Sequence, residues 1–212
     1  MNRVLSSIFF CLLLTSSFSL MSCSENDDTV DEYENWEERN NQFFAALEDS
    51  LQRNSGTGVG QWQKFKSFSK DPSLQTGANT DCVYVKVLKA TTDSATLSLG
   101  SPLYADSILV SYQGRFIPSP SYPDGLVFDG TAFSVNNMQT NGTARFKISA
   151  LVDGFATAVM QMHKGDVWRV YIPWNLGYGS TDYNTIPAFS TLIFDIAMVD
   201  FAAAGKALPN YR

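Results

Sequence analysis

Two periodicities divide the chain. Between residues 31 and 53, "DEYENWEERNNQFFAALEDSLQR" sets apolar residues at 33, 36, 43, 44, 47 and 51. That spacing lines one face of a helix with charges opposite, and the glycines of "NSGTGVGQ" close it. The next stretch, "WQKFKSFSK", is too short to assign. From residue 82 the period becomes two. "CVYVKVL", "SATLSL" and "ILVSYQGRF" read as strands. "IPSPSYPDG" reads as a long turn into the strand of "LVFDG", and "ARFKISA" as another strand. "LVDGFATAVMQM" (151 to 162) has helical spacing and is the only helix this half predicts. "VWRVYIP", stopped by Pro173, and "TLIFDIAMVDF" (191 to 201) complete the strands. Many antiparallel strands with one late helix predict an α+β domain. Its curved antiparallel β-sheet wraps on one short helix, preceded by an N-terminal helical extension.

The first residues do not belong to that fold. "MNRVLSSIFFCLLLTSSFSLMSC" has a basic Arg3, then an apolar run from Val4 to Leu14 too short to span a bilayer, so residues 1–22 read as a signal peptide. The tetrad "LMSC" directly behind it resembles the lipobox of bacterial lipoproteins, which implies that Cys23 becomes the lipidated first residue. A lipid there would anchor the chain without spanning, at about 0.8 kcal/mol per buried methylene. The expected location is the bacterial cell envelope, lipid-anchored. The acidic "SENDD" after the cysteine suggests the outer membrane, at its periplasmic face or the cell surface. The expected segments are 1–22 signal, 23–80 acidic tether and helical extension, and 81–212 the main domain.

Charge and cysteine content narrow the chemistry. The whole chain has a net charge of −6, and losing Arg3 with the signal makes it −7. Nucleic acid needs a basic surface and is not an expected partner. With Cys11 removed and Cys23 acylated, Cys82 has no partner for an intramolecular disulfide, and its alternating context suits a buried strand position. One histidine, His163, cannot build a zinc site with one free cysteine at this spacing, so no metal or cofactor is expected. A Ser-His-Asp hydrolase would have to use His163, which sits in a turn after the helix.

Four pieces, in order across residues 106 to 201, resemble the FKBP-type peptidyl-prolyl cis-trans isomerases. They are "VSYQGRF", "DGLVFD", "FKISALVDGFATAVMQMHKGDVWRVYIP" and "NLGYGSTDYNTIPAFSTLIFDI". The preceding helix is similar in topology to bacterial envelope members, including the macrophage infectivity potentiators. The resemblance implies a pocket of Tyr112, Phe128, Asp129, Leu151, Val152, Phe155, Tyr178, Ile186 and Phe194. That mix of aromatics, aliphatics and one carboxylate is independently what a small-ligand site uses. Asp129, Tyr178 and Phe128 are the implied catalytic residues, and the others bind substrate.

In the implied roles, Phe155 is the floor, with Phe128, Phe194 and Tyr112 as walls. The Ile186 N–H and the Tyr178 hydroxyl hold substrate carbonyls, and Asp129 is the polar wall. Departures from the family pattern are Phe155 in place of a tryptophan, Ala188 in place of a second proline, and a position near Ala144 where a further aromatic wall is usual. The expected partners are proline-containing polypeptides and, through the lipid, a membrane. A chaperone-like client binder with little isomerase activity, or a surface lipoprotein using the fold as scaffold, are the rival readings. The helix at 31 to 53 either packs on its own domain, giving a monomer, or serves dimerisation or client cradling.

Overall fold

The computed structural model describes residues 30–73, 77–131, 134 and 141–208. The expected signal peptide, Cys23 and most of the expected tether lie outside them. Residues 31–212 group as one compact unit. Among the described residues no helix is long and apolar enough to cross a membrane.

One helix, α1 (Trp36–Arg53), precedes a seven-stranded antiparallel sheet of β1 (Trp62–Lys66), β2 (Cys82–Lys89), β3 (Ser107–Arg115), β4 (Val127–Gly130), β5 (Ala144–Lys147), β6 (Val167–Ile172) and β7 (Leu192–Ala202). The spatial order is β1-β2-β6-β7-β3-β4, and β5 shares the same side of β3 with β4. β3 therefore carries β4 near Gln113–Arg115 and β5 along Ser107–Val110. The gap between those two short strands opens the sheet where the site forms. The unassigned "WQKFK" is β1, so the sheet begins well before residue 81.

Local sequence differences explain the other departures. α1 starts at Trp36 and not at residue 31, because Asn35 adopts a left-handed φ of 51° and the Tyr33 N–H bonds to Asp31 Oδ1 in a turn. "SATL" is not a strand but a one-turn helix, α2 (Ser94–Leu97), because the Asp93 carboxylate caps it by accepting from the Thr96 N–H at 3.0 Å. "LVDGFATAVMQM" is helical only over α3 (Asp153–Val159), after a 3₁₀ turn at Ile148–Ala150. Gly154 lets α3 sit on the sheet, since a Cβ there would come within 2.3 Å of Ile172 Cγ2. Ala156, Ala158, Val159 and Met162 are fully buried beneath α3 and its last turn.

The aromatic face of α1 packs on the sheet of its own chain. Phe44 meets Tyr84 edge-on at 5.2 Å, and the Trp36 Nε1–H donates to Ser190 Oγ at 2.9 Å. Asn40, wholly buried, donates to the Trp36 carbonyl at 2.7 Å and accepts from the Thr191 N–H at 2.7 Å. A buried asparagine satisfied on both sides fixes where the helix docks. Apolar spacing alone does not reveal it.

Candidate functional site: an aromatic cleft

Four elements meet at the gap in the sheet. β3 contributes Tyr112, β4 contributes Asp129, β7 contributes Phe194, and α3 with the turn before it contributes Leu151, Val152 and Phe155. Together with Tyr178 they line a cleft of about 470 Å³. The rings interlock edge to face: Phe155 meets Phe194 at 5.1 Å and 81°, and Tyr112 at 6.1 Å and 86°. Gly114 pairs with Phe194 across the β3–β7 ladder, and a Cβ on it would come within 2.5 Å of the Phe194 ring. The glycine of "YQG" thus makes room for this wall.

Among the described residues Asp129 is the one carboxylate lining the cleft, and it is fixed. The Tyr112 hydroxyl donates to Asp129 Oδ2 at 2.7 Å, and the Gly130 N–H donates to Oδ1 at 2.8 Å. Burial pushes the Tyr112 hydroxyl well above the usual phenol range, and its bond to Asp129 adds to this. Tyr178 is raised as well, chiefly by burial, then by Tyr183 and Asp129. Both hydroxyls stay protonated through neutral pH and can act as donors.

Two of the expected residues stand elsewhere. Phe128 does not line the cleft. It sits one layer back, stacked on Phe116 at 4.8 Å and edge-on to Phe194 at 5.5 Å, so it supports a wall without being one. Ile186 lines a neighbouring cleft, and its N–H donates to the Tyr183 carbonyl at 2.9 Å. A substrate carbonyl would have to compete for that donor.

Three residues on the cleft were not anticipated as site residues. Ala150 completes the side beside Leu151. Phe146 supplies the wall expected to be missing at Ala144, with its ring 5.7 Å from Tyr112. The alternation of "ARFK" along β5 is the signal that would have found it. Tyr183 stacks on Tyr178 at 4.7 Å and 15°. His163 is remote: its ring lies 3.6 Å from the buried Asp166, on a cleft sharing no residue with this one. Among the described residues no cluster of His, Cys, Asp or Glu is placed to hold a metal ion.

Comparison with known proteins agrees with this architecture. The family described as FKBP-type peptidyl-prolyl cis-trans isomerase matches residues 101–199. The chain is 31% identical over 107 residues to the macrophage infectivity potentiator of Trypanosoma cruzi, covering 50% of this chain and 48% of that one. It is 29% identical over 164 residues to the FKBP-type peptidyl-prolyl cis-trans isomerase FkpA of Escherichia coli K12, covering 77% and 52%. It thus spans about half the length of these curated relatives. The outer membrane protein MIP of Legionella longbeachae is 31% identical over 104 residues, 49% of this chain and 40% of its own. Among solved structures, FkpA from Escherichia coli superposes with a TM-score of 0.53 at 20% identity, over 81% of this chain and 63% of that chain, a likeness of fold. Tyr112, Asp129, Phe155 and Phe194 all fall inside the matched segment, residues 101–199, which is a domain of the FKBP-type peptidyl-prolyl cis-trans isomerase family.

Proposed function

We propose that the chain catalyses cis-trans isomerisation of X–Pro bonds in exported envelope proteins and so assists their folding. The observation that carries this reading is the aromatic cleft with one immobilised carboxylate. Amide resonance sets a rotation barrier of about 18–20 kcal/mol. Twisting the bond removes conjugation and lowers the charge separation between carbonyl oxygen and nitrogen. A water-poor aromatic site therefore binds the twisted amide better than the planar one, which is differential transition-state binding.

In this reading Phe155, Phe194, Tyr112 and Phe146 hold the proline ring, with Leu151 and Val152 flanking it. The Tyr178 hydroxyl donates to a substrate carbonyl, and Asp129 faces the twisting amide, its position held by Tyr112 and Gly130. Phe128 acts by backing Phe194. The Ile186 N–H joins only if a substrate carbonyl displaces that of Tyr183. No proton transfer is needed.

Cys23 carries the lipid that holds the protein at the envelope, at the outer membrane, and the aromatic face of α1, spent on its own domain, leaves a monomer. Clients are proline-containing polypeptides, not nucleic acid. A second reading, a client-binding chaperone with little isomerase activity, is favoured by one observation: the internal Ile186–Tyr183 bond occupies a donor that catalysis would use. An isomerisation assay on Xaa-Pro peptides with the purified full chain separates the two. Acceleration supports the enzyme, whereas binding without acceleration supports the chaperone.

A further inference from the structure

A second cleft, of about 510 Å³, opens beside the aromatic one. The start of α1 forms one wall through Tyr33, Trp36 and Glu37, and the loop from Asp182 to Phe189 forms the other. That loop is a closed hairpin. The N–H groups of Tyr183 and Ile186 each donate to the other residue's carbonyl at 2.9 Å, and Asp182 Oδ1 accepts from the Ala188 N–H at 2.8 Å. Tyr183 lines the aromatic cleft and Ile186 lines the second, so one rigid hairpin is a wall of both.

Two features distinguish this surface from a leftover crevice. Phe189 is held at a φ of 60°, a left-handed backbone state that bulky L-residues rarely adopt and that collects at binding sites. Its ring packs edge-on to Trp174 at 5.2 Å. The second feature is charge. Glu37 and Asp182 both line the cleft, no basic residue does, and neither carboxylate is in an ion pair among the described residues. Arg39, in the same turn of α1, does not line the cleft: its guanidinium lies 5.2 Å over the Trp36 ring and donates to the carbonyls of Glu32, Glu34 and Pro118.

We infer that this cleft is a flanking subsite for the client chain, taking an extended segment that carries a lysine or arginine near the proline held in the aromatic cleft. The inference rests on the aromatic cleft being the proline site. The paired Tyr183 and Ile186 positions between the clefts lie about 5 Å apart and an extended chain advances about 3.3 Å per residue, so at least about two residues separate the proline from the basic side chain. Aromatic surface with two unpaired carboxylates suits the methylene stem and the cationic head of such a residue together.

The test uses dye-labelled Xaa-Pro peptides with one lysine, or one glutamate, two to four residues to either side of the proline. Binding is read by fluorescence anisotropy and isomerisation separately. The expected result at low salt is a roughly two- to fivefold tighter binding of a lysine peptide over its glutamate twin, the range of one exposed ion pair. The ratio should shrink with added salt. Glu37→Gln should bring it toward unity, while Glu38→Gln, outside the cleft, should keep it. Equal binding of both peptides, or a ratio untouched by Glu37→Gln, overturns the subsite. So does a Glu37→Gln change that alters solution mass in place of peptide preference, since that assigns the face to a second copy. Lysine preference without isomerisation leaves the subsite standing and removes the enzymatic reading; isomerisation without preference does the reverse.

Discussion

The hydroxyl of Tyr112 and Oδ2 of Asp129, 2.7 Å apart, hold the one charged group of the aromatic cleft in place. Asp129 is anchored from two directions, because the Gly130 N–H takes its other oxygen. A hydrogen bond to a charged group contributes about 1.5–3 kcal/mol. Tyr112→Phe, which deletes the hydroxyl and keeps the ring, should therefore lower thermal stability measurably. Asp129→Asn, which keeps an acceptor oxygen, should cost less. Paired thermal melts check the order, and equal melting temperatures for Tyr112→Phe and wild type would mean the bond contributes nothing.

Acid should loosen the docking of α1. Tyr84 and Lys64 both donate to Glu48, the lysine at 3.0 Å, and these bonds hold the Glu48 carboxyl below its ordinary range, the Tyr84 bond most. A depressed folded-state value means the stability is present above the unfolded value of about 4.3 and is lost as pH falls through the folded one. The wild-type advantage over Glu48→Gln should hold at pH 7, begin to shrink as pH falls below about 4.3, and vanish once the pH is beneath the lowered folded-state value. Urea melts across that interval measure it, and a constant gap would contradict the assignment.

The proposed anchor makes a separate prediction. Cys23→Ser should release the protein from membranes into the soluble fraction, because in that reading the lipid on Cys23 supplies the binding. Fractionation with the mutant still fully membrane-bound would remove the lipid reading.

Most of the fold was legible because the long strands are runs rich in apolar and β-branched residues, and Pro173 and the Asp-Gly of "PDGLVFD" punctuate them. What was not legible followed from local hydrogen bonding. Asp93 turns an apparent strand into a helical turn, and Asn35 delays α1. At the site, Tyr112, Phe155 and Phe194 are readable because the motifs that carry the resemblance fall on β3, α3 and β7. The same resemblance implies Phe128 as a wall, but a motif does not say what stands in front of a ring, and here Phe194 does. The resemblance implies the Ile186 N–H as a substrate donor; its partner here, the Tyr183 carbonyl, is backbone, which a sequence does not display.

The floor residue tests the size of the cleft. Phe155 is 4% exposed and touches both Tyr112 and Phe194. Phe155→Trp restores the larger ring usual in the family and should preserve or raise kcat/KM on Xaa-Pro peptides. A folded mutant with no remaining activity would mean that residue 155 is not the floor.

The most direct test is kcat/KM for a neutral Xaa-Pro peptide, measured with the full chain from pH 6 to 8. Tyr112 and Tyr178 have pKa values raised above the phenol range and so do not titrate there, and the one histidine of the chain, His163, lies outside the cleft. Catalysis by desolvation and shape should give a clear acceleration over the uncatalysed rate that stays flat across the interval. No acceleration, or an acceleration that rises or falls through a midpoint between pH 6 and 8, would contradict it.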